Sequence, residues 1–205
     1  MQGKTCCVTG HRDIPAEQVC HIKKSLEQEV DRAISDGFIC FISGFADGVD
    51  LLFAGIVAER IAKNPALKLI AAIPYQKRLD TLRKSELTKA LIDFCAEIYV
   101  ASEGYHPSVY AKRTRYMVER SNRVIAVYDG REKGGTVGTI RLSHMMKKEL
   151  REIAIGEIYI PEYLKRQLIT NGLRKNRISY IIMQTDETRR CDDPCITHSW
   201  KLFCV

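Results

Sequence analysis

An α/β fold, with an open parallel sheet of about five or more strands and helices on both faces, is what the sequence predicts. Three observations carry that expectation. Short, continuously apolar runs such as "FICFIS" and "RVIAVY" alternate with longer segments of helical periodicity. Strands buried on both faces have this character, and they occur where helices cover a parallel sheet on two sides. The polar and glycine-bearing stretches follow the apolar runs, as they do when ligand loops gather beyond the carboxyl ends of parallel strands.

The elements follow in order. "KTCCVT" (4–9) reads as a short buried strand. A helix over about 16–35 places Val19, Ile22, Leu26, Val30 and Ile34 at helical spacing, and Gly37 ends it. "FICFIS" (38–43) is the second strand, and "VDLLFAGIVAERIAK" (49–63) the next helix. "LKLIAAI" (67–73) is a third strand stopped by Pro74, followed by one polar-faced helix over 76–95. "AEIYVAS" (96–102) is a fourth strand, 108–121 a helix, "RVIAVY" (123–128) a fifth strand and 136–149 a helix. The pattern then loosens. Residues 1–147 are expected to form one ligand-binding domain, and 148–205 an extension with a further strand or helix and an irregular tail.

A length of 205 residues suits such a domain with an appendage. No apolar run reaches the roughly eighteen residues a membrane helix needs, and "MQGKTCCVTGHR" lacks a signal-peptide core, so a cytoplasmic protein is expected. Of eight cysteines, Cys6, Cys7, Cys40 and Cys95 sit in or beside apolar segments, where a free thiol behaves as a small hydrophobe. Cys191 and Cys195, with His198 and Cys204 beyond, make the one group with any resemblance to metal-ligand spacing. Reduced thiols are the favoured reading, and no metal is expected. The net charge is +7, and much of the excess sits in "HPSVYAKRTRYMVERSNR", with five basic residues against one Glu. Generic nucleic-acid binders spread positive charge more widely, whereas a local cluster suits a phosphate pocket or a solvated helix face.

The loops carry the chemistry. "TGHRD" places Gly10, His11 and Arg12 after the first strand. The planar fork of an arginine suits phosphate or carboxylate, and His11 is a candidate acid or base. In "SGFADGVD", Gly44 and Gly48 permit positive φ and close approach of a ligand to the main chain. The helix that starts there directs its first free N–H groups, with about half a positive charge, at whatever binds. Asp50 is placed to cap that helix or accept a ribose hydroxyl. In "DGREKGGT", Gly134 and Gly135 precede a second helix start, where Thr136 is placed to cap or to donate to phosphate. Arg113 and Arg120 lie on one helix face with Arg115 offset by about 200°, so at least one arginine faces solvent.

Taken together, "TGHR", "SGFADGVDLLFAG", "IPYQKR", "SEGYHPSVYAKRTRYMVERSNRVIAVYDG" and "GGTVGTI" resemble the SLOG superfamily of Rossmann-like proteins, specifically its YpsA-like family. The likeness runs from Lys4 to Ser143. It implies a nucleotide or nucleotide-derived ligand, and regulatory roles like those suggested for some bacterial members. It implies a pocket of Gly10, Arg12, Ser43, Gly44, Gly48, Asp50, Arg113, Tyr116, Asp129, Gly134, Gly135 and Thr136, to which His11 and Arg115 are added here. Thr114, Glu119 and Asn122 depart from the Asn, Asp and Asp of the family pattern. One alternative is a phosphoribohydrolase, which uses a "PGGxGTxxE" motif to cleave an N-glycosidic bond. "GGTVGTIR" lacks that proline and ends in Arg141, leaving Glu103 as the substitute carboxylate. A second alternative is single-stranded DNA binding like that of DNA-processing protein A, which shares "SGxAxGxD". Nucleic acid ranks here behind a small ligand. A homo-oligomer is left open, no membrane partner is expected, and no cofactor beyond the nucleotide-like ligand is implied.

Overall fold

The computed structural model describes residues 3–155. In chain order these form β1 (Lys4–Gly10), a short 3-10 turn, α1 (Val19–Ser35), β2 (Phe38–Ser43), α2 (Val49–Lys63), β3 (Lys68–Ile73), α3 (Gln76–Leu82), α4 (Glu86–Asp93), β4 (Glu97–Val100), α5 (Val109–Arg120), β5 (Arg123–Tyr128), α6 (Gly135–Met145) and β6 (Glu149–Ala154). The six strands make one sheet in the order β4-β3-β2-β1-β5-β6, with every neighbouring pair parallel. Right-handed crossovers then put α1, α2, α3 and α4 on one face and α5 and α6 on the other. Contacts of α1 with α2, α2 with α4, and α5 with α6 agree with that arrangement.

Burial follows strand position. Val124 to Val127 of β5 and Leu69 to Ile73 of β3 are buried, whereas the edge strands β4 and β6 are mostly half-exposed. Under α5, the sheet presents Cys7, Ile42, Ile70, Ala72 and Val124 to Met117, with Tyr99, Tyr116, Cys40 and Leu150 packed around them. Cys6 and Cys7 are buried free thiols, and Cys40 and Cys95 are half-buried ones. Burial raises the thiol pKa of Cys7 and Cys95 to about 12, so neither is a reactive thiolate at neutral pH.

Two expectations are corrected. The helix expected over 76–95 breaks at Arg83–Ser85, where Ser85 is extended. The buried residues explain the break: Leu79 and Leu82 serve one segment, Leu91 and Ile92 the other. On one straight helix those pairs would point about 160° apart, so a single rod cannot bury both. The sheet also runs past 147, because Glu149–Ala154 pairs with β5 from Arg123↔Glu149 to Tyr128↔Ala154. "ELREIA" mixes charged and apolar residues because it is an edge strand, and this hid it from a search for buried runs. The compact unit ends at Ile155. Cys191, Cys195, His198 and Cys204 lie outside the described residues.

Candidate functional site

The order of strands reverses between β1 and β5, since the chain moves outward from β1 to β4 before returning to β5. At such a switch point the loops on either side separate and leave a crevice. Here the crevice is a cleft of about 820 Å³. Its walls come from Gly10–Asp13 at the end of β1 and beyond, Ala46 before α2 and Asp50 in its first turn, Tyr110 to Met117 of α5, and Arg131 to Met145 of the last loop and α6.

Glycines on the β1 and β2 side serve packing. A Cβ on Gly10 would come within 2.5 Å of Val49, and one on Gly48 within 2.6 Å of the His11 carbonyl. Gly48 has φ 77°, and the Val49 N–H donates to that same carbonyl at 3.3 Å. The start of α2 is thus held against the loop after β1, and its first N–H is already used. Gly44 is filled over as well: a Cβ there would sit 2.6 Å from Asp50 Oδ2 and 3.1 Å from Arg113 Cζ. Close approach at Gly44 and Gly48 is therefore approach by the protein's own groups. Ser43 completes the lock, its hydroxyl donating to the Asp50 carbonyl at 2.8 Å and accepting from the Phe45 N–H at 3.2 Å. Phe45 takes φ 50° with its ring fully buried, a conformation uncommon outside glycine.

Asp50 and Arg113 are the charged pair of this wall. Asp50 is 5% exposed and takes an N–H from Ala46 on Oδ2 at 3.3 Å. Burial pushes its carboxyl up to about 6, against the pull of the Arg113 guanidinium. Arg113 Nη1 donates to the Gly44 carbonyl at 3.1 Å, while its Nε is buried without a hydrogen-bond partner. Burial lowers the pKa of Arg113, with Asp50 opposing the shift.

The wall made by α6 is different. Gly134 is its N-cap at φ 131°, and no side chain caps it. Thr136 lies inside the helix and buried, so the cap expected of it is not formed. A Cβ at Gly134, Gly135 or Gly138 would meet nothing within 4 Å. Thr139 donates to the Gly135 carbonyl at 2.9 Å. This is a helix N-terminus bare of side chains, opening on a cleft that Arg12, Arg113, Arg131 and Arg141 also line.

Along the cleft wall runs a charged chain, with His11, Asp13 and Arg131 lining the cleft and Asp129 joining them. His11, 5% exposed, brings Nε2 to 3.0 Å from Asp129 Oδ1, although not in an aligned hydrogen bond. Asp129 accepts from Arg131 Nε at 2.8 Å, and Arg131 Nη2 reaches Asp13 at 3.1 Å. Burial lowers the His11 pKa more than Asp129 raises it, which favours the neutral ring. The Arg131 side chain holds both Asp13 and Asp129 below the usual carboxylate range.

The sequence-expected residues thus separate. Gly10, His11, Arg12, Asp50, Arg113, Gly134, Gly135 and Thr136 line the cleft, while Ser43, Gly44, Gly48 and Asp129 support them. Arg115 faces solvent and pairs with Glu119 at 2.7 Å. Tyr116 projects from α5 onto the sheet, its ring 3.6 Å from that of Tyr99 and its hydroxyl donating to Glu97 at 2.8 Å. Glu103 is exposed in the loop after β4 and does not line the cleft. Asp13, Arg131, Thr139 and Arg141 line the cleft without having been expected there, and Tyr110, which also lines it, stood out in the sequence only as an aromatic near the arginines that suited the nucleic-acid alternative. A usable signal was present: "TGHRD" and "DGREKGG", the two loops that flank the switch point, each carry charges of both signs and so can pair across it.

An open parallel sheet with its cleft at the point of strand reversal defines a Rossmann-like α/β protein. The chain belongs to the YspA SLOG family (YpsA), whose model matches residues 6–160. Among solved structures, it is similar to DNA processing protein A from Helicobacter pylori, described for its single-stranded DNA binding mode. That likeness has 19% identity over 88% of this chain and 81% of that one, at a TM-score of 0.54. TM1055, a structural genomics target, is similar at 13% identity over 72% of each chain, with a TM-score of 0.46. No curated protein matches the chain.

Proposed function

We propose that the cleft binds a nucleotide or nucleotide-derived metabolite through its phosphate, and that the protein acts as a sensor or regulator. One observation carries the reading: the uncapped start of α6, with open space at Gly134, Gly135 and Gly138, faces a cleft lined by four arginines. Free N–H groups and the helix dipole favour an anion there, and guanidinium groups offer charge-assisted hydrogen bonds. Family membership and the switch-point position support the same ligand class. The hydrolase alternative is weaker, because Arg141 lines the cleft near the start of α6, where cleavage of an N-glycosidic bond needs a carboxylate.

The test has two parts. Mass spectrometry of small molecules released from the heat-denatured protein should find a phosphorylated nucleotide derivative. Gly135→Ala then probes the helix start, where a methyl group meets only open space and the backbone tolerates it. The variant should melt within about 2 °C of the parent, yet bind the released compound at least tenfold more weakly. Unchanged affinity in Gly135→Ala would place the phosphate elsewhere and sink the proposal.

A further inference from the structure

Tyr75, Tyr105 and Tyr110 form a cluster of which only Tyr110 belongs to the cleft described above. Their ring centroids lie 5.5 Å (Tyr75 to Tyr105), 6.5 Å (Tyr75 to Tyr110) and 6.5 Å (Tyr105 to Tyr110) apart, all tilted edge to face. Such packing leaves ring faces uncovered. The contrast is the Tyr99–Tyr116 pair, whose rings lie parallel within 1° and cover each other at 3.6 Å. Burial does not account for Tyr105, which stays 65% exposed. Tyr110 joins the cluster to the cleft: it lines the cleft wall, and Arg113 lies 5.8 Å over its ring. An aromatic surface therefore continues from the arginine-lined cleft toward the loops after β3 and β4.

We infer that this cluster is the nucleobase subsite of the same site, with Tyr105 offering its free face to the base while the phosphate rests at the start of α6. The inference rests on the nucleotide reading and narrows it. The ligand class becomes a phosphate ester that carries an aromatic base, as opposed to a sugar phosphate or inorganic phosphate. Because every base has a π-face, stacking of this kind tolerates different bases and discriminates strongly only against their absence.

Calorimetric titration of the full chain with AMP, GMP, CMP, UMP, ribose 5-phosphate and inorganic phosphate tests it. Stacking on one aromatic ring predicts that the best nucleoside monophosphate binds about five- to a hundredfold more tightly than ribose 5-phosphate. Tyr105→Ala should abolish most of that ratio by weakening the nucleotide alone, and Tyr105→Phe should restore it, because the face and not the hydroxyl makes the contact. An exposed ring contributes little to folding, and thermal melts of the variants check that. Equal affinity for ribose 5-phosphate and the nucleotides, or equal loss of both in Tyr105→Ala, overturns the base subsite while leaving phosphate binding standing. If none of these probes binds, the nucleotide reading falls and the subsite with it. Tight binding of a single-stranded oligonucleotide, with the monophosphates bound no better than phosphate, would replace the subsite by a nucleic-acid surface.

Discussion

At the scale of single residues, Asp50 is where the fold and the cleft meet most directly. Burial pushes its carboxyl up to about 6, while an aspartate in the unfolded chain titrates at about 3.9. Between those values the native state holds a proton that the unfolded chain has released, so stability falls as pH rises through this window. Above it, the ionised buried carboxylate imposes a constant penalty of about 2–3 kcal/mol. His11 works in the opposite sense, since its lowered pKa makes stability rise with pH as the unfolded imidazole loses its proton. Comparing Asp50→Asn with the parent cancels the histidine contribution and isolates the aspartate. Urea unfolding at pH 4.5 and pH 7.5 should show the stability of the Asn variant gaining on the parent by about 2 kcal/mol between the two conditions. A difference that does not move with pH would mean Asp50 is hydrated and ordinary.

At the scale of elements, α5 shows what helical phase alone conveys. Spacing says that Arg113 and Arg115 cannot face the same way; only the packed structure says which of them turns inward. Arg113 does, donating to the Gly44 carbonyl beside Asp50, and Arg115 pairs with Glu119 in solvent. Arg113→Ala should accordingly weaken the released ligand about ten- to a hundredfold and lower stability by about 1–2 kcal/mol. Arg115→Ala should leave both within about 0.5 kcal/mol of the parent. Thermal melts and titrations of the pair decide it, and equal effects from the two variants would show that the helix is phased differently in solution. Tyr116 marks the limit of such reading. One polar aromatic among arginines looks like a ligand contact in sequence, yet it packs against Tyr99 and the sheet. The glycines divide for a related reason: backbone freedom reads the same whether the nearby atom belongs to a ligand or, as at Gly10 and Gly48, to Val49 and the His11 carbonyl.

At the scale of the whole molecule, parallel strands were legible because burial on both faces makes them continuously apolar, and the collection of loops at one edge followed from that. Strand order was not legible, because it depends on which crossover turns back. The turn between β4 and β5 decides that Gly10–Asp13 and Arg131–Gly135 flank one cleft. The sixth strand was hidden for an electrostatic reason, since Glu149 and Arg151 alternate with its apolar residues. Glu149 nevertheless binds Arg123, which is 4% exposed and also pairs with Asp36. Removing β6 would uncover β5 and take one carboxylate from a buried guanidinium. Arg123 keeps Asp36, so the cost falls mainly on the lost burial of Leu150 and Ile153, on the order of 3 kcal/mol or more. A chain ending at Ile155 should therefore unfold cooperatively and bind the released ligand as the full chain does. A chain ending at Lys147 should be less stable by at least that amount, or fail to stay soluble. Urea unfolding followed by tryptophan-independent circular dichroism compares the two, since the single Trp at 200 is absent from both. Equal midpoints would show that β6 adds nothing to the sheet, and failure of the longer fragment to fold would show that the unit does not close at Ile155.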